Sequence, residues 1–211
     1  MVRLLVPLVA LLLAGCTSLH RYGSARTMPG GSFSMVTAME LIEGEDPLEK
    51  EPPRGDFLPF AQRLGLRYAP FDGSEIGLEA GFVTATLDWK QELFRSRWID
   101  VAVDPAFTVG YSAGELDPLA VAQLPVLVGI HATDWLTVVP QASVGWGYRD
   151  ADMMDARTPL VGGALGLYVS ITEWLAVQPL GGMTVELDSG YRYLSGGIGL
   201  LAGRLPAGRS Q

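Results

Sequence analysis

The sequence predicts an all-β chain that closes into one antiparallel, up-and-down transmembrane β-barrel of about ten strands, and three observations predict it. The first is the stretch from Trp98 to Tyr111: Ile99, Val101, Val103, Pro105, Phe107, Val109 and Tyr111 fall on one parity, and Asp100, Ala102, Asp104, Ala106, Thr108 and Gly110 on the other. A period of two is the mark of a strand with one apolar and one polar face, and this one meets the roughly 9 to 11 residues a tilted strand needs to cross a bilayer. The second is composition. Of 211 residues, 48% are hydrophobic and only 18% charged, yet after the N-terminus no stretch approaches the roughly 18 apolar residues of a spanning helix, so the apolar excess must be spread over strands. The third is punctuation: 26 Gly and 14 Pro separate the alternating segments with turns, as in a single all-β domain.

The N-terminus stands apart. Met1-Val2-Arg3, the apolar run from Leu4 to Leu13, and Ala14-Gly15-Cys16 form a basic region, an apolar core and small residues before a cut, which is an export signal and not a spanning helix. Leu13-Ala14-Gly15-Cys16 resembles the lipobox of bacterial lipoprotein precursors, and the one Cys of the chain sits where that motif requires it. The resemblance implies cleavage before Cys16, a diacylglycerol and an N-acyl chain such as palmitate on that residue, and, with Thr17 rather than Asp next to it, delivery to the outer membrane. The expected organisation is a signal peptide over residues 1–15, a lipidated flexible tether over 16–31, the barrel over 32–204 and a C-terminal tail over 205–211. No noncovalent cofactor is expected, and one Cys allows no internal disulfide. The formal net charge of −8, one unit more negative once Arg3 leaves with the signal, argues against nucleic acid as a partner and leaves membrane lipid as the expected one.

From Ser32 the strands follow in order. Phe33, Met35, Met39 and Leu41 share one parity of the first; Leu58, Phe60, Leu64, Leu66 and Tyr68 of the second; Ile76, Leu78, Ala80 and Phe82 of the third; Leu87, Trp89 and Leu93 of the fourth. The fifth is Trp98 to Tyr111. Leu124 to Ile130 marks the sixth, Leu136 to Tyr148 the seventh, Val161 to Ile171 the eighth, Leu175 to Leu187 the ninth and Leu194 to Ala202 the tenth. Connections after even strands are short: Phe71-Asp72-Gly73-Ser74, Arg95-Ser96-Arg97, Thr133-Asp134 and Thr172-Glu173. Those after the first and seventh, Glu43 to Asp56 and Arg149 to Thr158, read as long polar loops, while the one after the third is short.

This pattern resembles small bacterial outer-membrane β-barrels, with an even strand number, tight periplasmic turns and longer outer loops. The resemblance implies that a lipid on Cys16 anchors the chain from the periplasmic side. The near-copies Ala132-Thr133-Asp134-Trp135-Leu136 and Ile171-Thr172-Glu173-Trp174-Leu175 would set two Trp residues at the membrane interface. The chain departs from the family at its end, Leu205 to Gln211, where such barrels commonly carry an aromatic-terminated strand.

Alternation alone fits a second architecture, a lipid-tethered soluble barrel holding an apolar ligand, as in lipocalins. The polar face decides for the membrane. In strands five to ten it is made mostly of small residues (Ala102, Ala106, Gly129, Gly145, Gly166, Gly182, Gly197 and Gly199 among them), whereas a solvated surface is about 25 to 35% charged. Phe82, Phe107, Tyr111, Trp146 and Tyr148 fall near the same end of their strands, as an aromatic girdle would.

Inward charges concentrate in strands two to five: Arg63, Arg67, Glu79, Asp88, Lys90, Glu92, Asp100 and Asp104. The principal reading is a salt-bridge network filling a narrow lumen, because buried charges must be paired; the functional reading is an acidic site for a small polar solute or cation. The expectation is that Lys90 offsets repulsion among Asp88, Glu92, Asp100 and Asp104. Gly110-Tyr111-Ser112-Ala113-Gly114 matches a GxSxG nucleophile elbow, with Asp117 and His131 following, but no helix follows Ser112 as that elbow requires. The sequence therefore predicts no enzyme, keeping a hydrolase through Ser112 as the low alternative. His131, taken as the one histidine near the barrel, is expected to be structural, since a single His without partners at ligand spacing makes a poor metal site.

Overall fold

A computed structural model describes residues 20–45, 58–81, 84–111, 118–151 and 154–206. The lipobox with Cys16, Ser112, Asp117, Phe82 and most of the connection from Glu43 to Asp56 lie outside the described residues. Eleven strand segments run in order: β1 Ser32–Glu45, β2 Leu58–Phe71, β3 Ser74–Ala80, β4 Thr84–Arg95, β5 Ile99–Val103, β6 Ala106–Tyr111, β7 Pro118–His131, β8 Leu136–Ala151, β9 Met154–Thr172, β10 Leu175–Glu186 and β11 Arg192–Gly203. All pairings are antiparallel, and no helix occurs among the described residues.

The sheet closes on itself, because β1 pairs with both β2 and β11, from Ser34↔Gly203 to Glu45↔Arg192. Closure leaves no strand edge, the only way a sheet can satisfy its backbone in hydrocarbon. The number of staves is ten. Segments β5 and β6 share both neighbours, β4 and β7, and one register runs through the gap, with Val103↔Gln91 and Ala106↔Asp88 on one side and Val103↔Val126 and Ala106↔Gln123 on the other. The fifth strand is thus interrupted where the sequence reads as continuous. Pro105 has no N–H to donate, although its carbonyl still accepts from the Trp89 amide at 3.0 Å.

A second difference lies between β8 and β9. Of the stretch 149–158, expected as a loop, residues 149–151 and 154–158 instead continue the hairpin through Arg149↔Ala156 to Ala151↔Met154, so the two strands run well past their aromatic girdle residue Trp146. The short turns are as expected. Gly73 takes φ 87° between β2 and β3, a conformation glycine adopts without steric cost. In the near-copy turns one device recurs: the Thr133 hydroxyl accepts from the Trp135 amide and the Thr172 hydroxyl from the Trp174 amide. Both indoles stand outward, as does that of Trp98, each more than half exposed.

Apolar side chains face away from the barrel all the way round, among them Leu66, Leu78, Leu87, Val109, Leu124, Val144, Leu165 and Ile198. Along β8, Trp135 and Trp146 bound this belt. Eleven residues at about 3.3 Å, tilted by about 40°, give a height of about 28 Å, close to the roughly 25 Å apolar band of an outer-membrane barrel. The interior carries the charges, so it is not the apolar cavity of a ligand-binding soluble barrel.

Candidate functional site

The lumen is occupied by the chain itself. Residues 20–28 are buried without exception, from His20 at 2% exposed to Met28 at 2%, and their contacts are with inward-facing residues of the wall. The expected tether over 16–31 therefore does not lie outside the barrel: from His20 on, its residues run through the interior. The physical reason is chemical fit. The segment His20-Arg21-Tyr22-Gly23-Ser24-Ala25-Arg26-Thr27-Met28 brings two guanidinium groups, one phenol and small residues to a wall with an acidic arc and a glycine-lined arc.

The acidic arc comes from β1 to β5. Arg26 donates Nε to Asp100 Oδ2 at 2.9 Å and Nη2 to Oδ1 at 3.1 Å, and Nη2 also to the Ser96 carbonyl at 2.8 Å. Such a two-point pair is the strong form of the interaction. Asp100, wholly buried, also holds His131 Nε2, whose ring Nδ1 pairs with the Thr137 hydroxyl at 2.9 Å. Glu92 Oε2 accepts from the Thr27 amide at 2.8 Å and its hydroxyl at 2.9 Å. Glu75 Oε1 accepts from the Met28 amide at 2.6 Å, while its Oε2 lies 2.8 Å from Lys90 Nζ. Lys90 in turn donates to the Ser24 carbonyl at 3.1 Å and the Arg26 carbonyl at 3.4 Å.

Deeper in, Arg67 sits 3.1 Å from Glu79, 3.2 Å from Asp88, 3.7 Å from Glu75 and 3.9 Å from Asp104. Arg63 lies 3.1 Å from Glu40 and 3.4 Å from Glu79, and Arg21 joins at 3.4 Å from Glu79 and 3.7 Å from Asp88. Two glutamines treat the segment as a neighbouring strand would. Gln141 accepts from the Arg21 amide at 3.0 Å and donates to its carbonyl at 2.6 Å, and Gln178 does the same for Gly23 at 2.6 and 3.4 Å.

Elsewhere on the wall, glycines of β7, β10 and β11 make room for the segment. A Cβ at Gly199 would run into the Tyr22 ring, one at Gly197 into the Tyr22 hydroxyl, one at Gly182 into the His20 imidazole, and one at Gly129 would come within 3.3 Å of the Ala25 methyl. Tyr22 and Ala25 complete an interior apolar cluster with Val36, Ala38, Leu127, Val139, Tyr168, Leu180 and Leu201.

All eight inward charges expected from the sequence, Arg63, Arg67, Glu79, Asp88, Lys90, Glu92, Asp100 and Asp104, point into the lumen, each in an ion pair or hydrogen bond with the wall or the segment. The ion pair of Lys90 differs from the expectation: it is made with Glu75, which the sequence reading did not include, and the same ammonium clamps the segment. Four charged members escaped the sequence reading. Glu40 and Glu75 lie on the inward parity of their strands and were legible there, whereas Arg21 and Arg26 belong to a stretch with no period. His131 is likewise not the one histidine of the barrel, since His20 shares the lumen; it stands at the turn end of β7, whereas β6, which leads to Ser112, ends at the loop end.

No protein-family model matches the chain, and no curated protein matches it. Among solved structures, an outer membrane channel from Pseudomonas putida F1 aligns with a TM-score of 0.54 at 9% identity, covering 87% of this chain and 99% of that one. The fold is that of an outer-membrane β-barrel. The attachment invasion locus protein Ail of Yersinia pestis aligns at 0.40 and 10% identity over 82% of this chain and 99% of its own, and Neisserial surface protein A at 0.42 and 9% over 81% and 96%.

Proposed function

We propose that this chain is a bacterial outer-membrane lipoprotein, lipid-modified on Cys16, whose barrel is closed at rest by its own N-terminal segment. Its role is structural or tied to the handling of a cationic solute; it is neither an open porin nor an enzyme. The observation that carries this is the burial of His20 to Met28 inside the barrel, with Arg21 and Arg26 seated on carboxylates. The wall carboxylates Glu40, Glu75, Glu79, Asp88, Glu92, Asp100 and Asp104 outnumber the wall cations Arg63, Arg67 and Lys90. When the segment withdraws, its arginines leave seats suited to guanidinium or ammonium groups of a solute. Against a hydrolase, His131 is engaged by Asp100 and Thr137 at the far end of the barrel from Tyr111, the residue before Ser112.

Planar-bilayer recording tests the reading. The wild type should show no steady conductance, while Arg21→Ala combined with Arg26→Ala should give cation-selective openings. A steady porin-like conductance in the wild type, or anion selectivity in the double variant, would refute it.

A further inference from the structure

The direction of the luminal segment carries a consequence for where the N-terminus goes. Its C-terminal part is held at the turn end, by Asp72 on Gly30, Glu75 on Met28 and Glu92 on Thr27. Gln178 and Gln141, three and five residues up β10 and β8, hold Gly23 and Arg21. His20 is higher still, its carbonyl on Arg63 and its ring against Gly182, seven residues up β10. The segment therefore climbs toward the loop end as it is followed backward, and His20 stands about 18 Å above the turn end, taking about 3.3 Å per residue and a tilt of about 40°.

Cys16 precedes His20 by four residues, a reach of at most about 14 Å at the fully extended limit. That reach clears the rim of a band roughly 25 Å tall on the loop side, but falls short of the turn end, and the lumen below His20 is filled by residues 21–28. We propose that the chain threads its own barrel from the turn end to the loop end, so that everything ahead of His20, Cys16 and its lipid included, emerges on the outer face of the membrane. A lipid on Cys16 then sits in the outer leaflet, and not on the periplasmic side where the lipoprotein resemblance alone would put it. The proposal rests on the outer-membrane reading above, with short turns periplasmic.

The test uses the full chain in cells, with an epitope inserted between Thr17 and Ser18. Two controls fix the barrel's orientation: Asp188→Cys, exposed between β10 and β11, and Asp134→Cys, exposed in the turn between β7 and β8. An impermeant maleimide should label the first on intact cells and the second only after permeabilisation. A third variant, Ala25→Cys with Gly129→Cys, reports threading by disulfide formation, since the two Cβ positions lie about as close as a disulfide requires.

The expected result is antibody binding to the epitope on intact cells, in a fraction matching the Asp188→Cys control, with the disulfide formed. Epitope detected only after permeabilisation, with both controls on their expected sides, overturns the proposal whether or not the disulfide forms. Controls on reversed sides also overturn it, but through the orientation on which it rests.

Discussion

Replacing Arg26 by Ala removes the best-made contact of the luminal segment. The guanidinium holds both oxygens of Asp100 and the Ser96 carbonyl, and Asp100 is wholly buried. After the substitution Asp100 keeps, as hydrogen-bond partners among the described residues, His131 and the Ser96 amide, which reaches it at 3.2 Å. Breaking a buried pair by removing one partner costs about 3–5 kcal/mol, because the remaining charge is stranded. At about 1.4 kcal/mol per factor of ten, the ratio of seated to withdrawn segment should fall by two to three and a half orders of magnitude. The assay is protection of a thiol at Ala25→Cys, in a Cys16→Ser background refolded in detergent. The site is fully buried, so maleimide modification reports withdrawal, and Arg26→Ala should speed it by at least about 100-fold while urea unfolding of the barrel shifts much less. Pairing Arg26→Ala with Asp100→Ala should recover much of the loss, since no charge is then stranded. Equal labelling rates in the wild type and Arg26→Ala would refute the reasoning.

Other outcomes follow from the same geometry. Lys90→Ala removes the nearer cation of Glu75, 2.8 Å away, leaving it Arg67 at 3.7 Å, and releases two carbonyls of the segment; it should destabilise the folded chain in urea by a few kcal/mol at neutral pH. Gly199→Leu places a side chain where Tyr22 lies, so it should expel the segment at a cost of about 1–3 kcal/mol, with Tyr22→Ala in the same chain restoring thiol protection at residue 25. Leu165→Arg, pointing outward beside Pro140 and midway between Trp135 and Trp146, should cost about 2–4 kcal/mol of folding free energy in lipid vesicles; a neutral effect there would mean that this face does not meet hydrocarbon.

The barrel was legible because strands report their two faces with a period of two, and closure adds nothing that contradicts that period. Even the break at Pro105 leaves parity intact: Asp100, Ala102, Asp104, Ala106 and Thr108 are all buried, and Phe107 and Val109 face out. What parity could not show was the end of pairing, so the stretch 149–158 reads as a loop on its polarity although residues 149–151 and 154–158 continue a hairpin. The charges on the wall were legible for the same reason that the strands were. Those of the luminal segment were not, because an extended segment held by scattered polar contacts leaves no period to read, and Arg21 and Arg26 in a Gly- and Ser-bearing stretch look like linker.

A signal for that segment did exist, and it lay in the wall. In the sequence Gly129, Gly182, Gly197 and Gly199 mark a face that is not a solvated surface, yet glycine on an inward face also leaves a void, and a void in a ten-stranded barrel must be filled or wet. The acids concentrated in strands two to five make the complementary point: they outnumber Arg63, Arg67 and Lys90, so a neutral lumen needs cations from elsewhere, and Asp100 takes Arg26. A glycine arc together with an acidic arc therefore calls for a narrow cationic occupant with one large ring, which is what Arg21, Tyr22 and Arg26 supply. The manner of holding also bears on function. Carboxylates, a lysine and two glutamines grip mainly backbone and guanidinium groups of the segment, and water can replace those contacts as it cannot replace apolar packing. On the proposed reading, an occupant held in this way withdraws without unfolding the barrel around it, with Tyr22 and Ala25 giving up the apolar contacts they share with the wall.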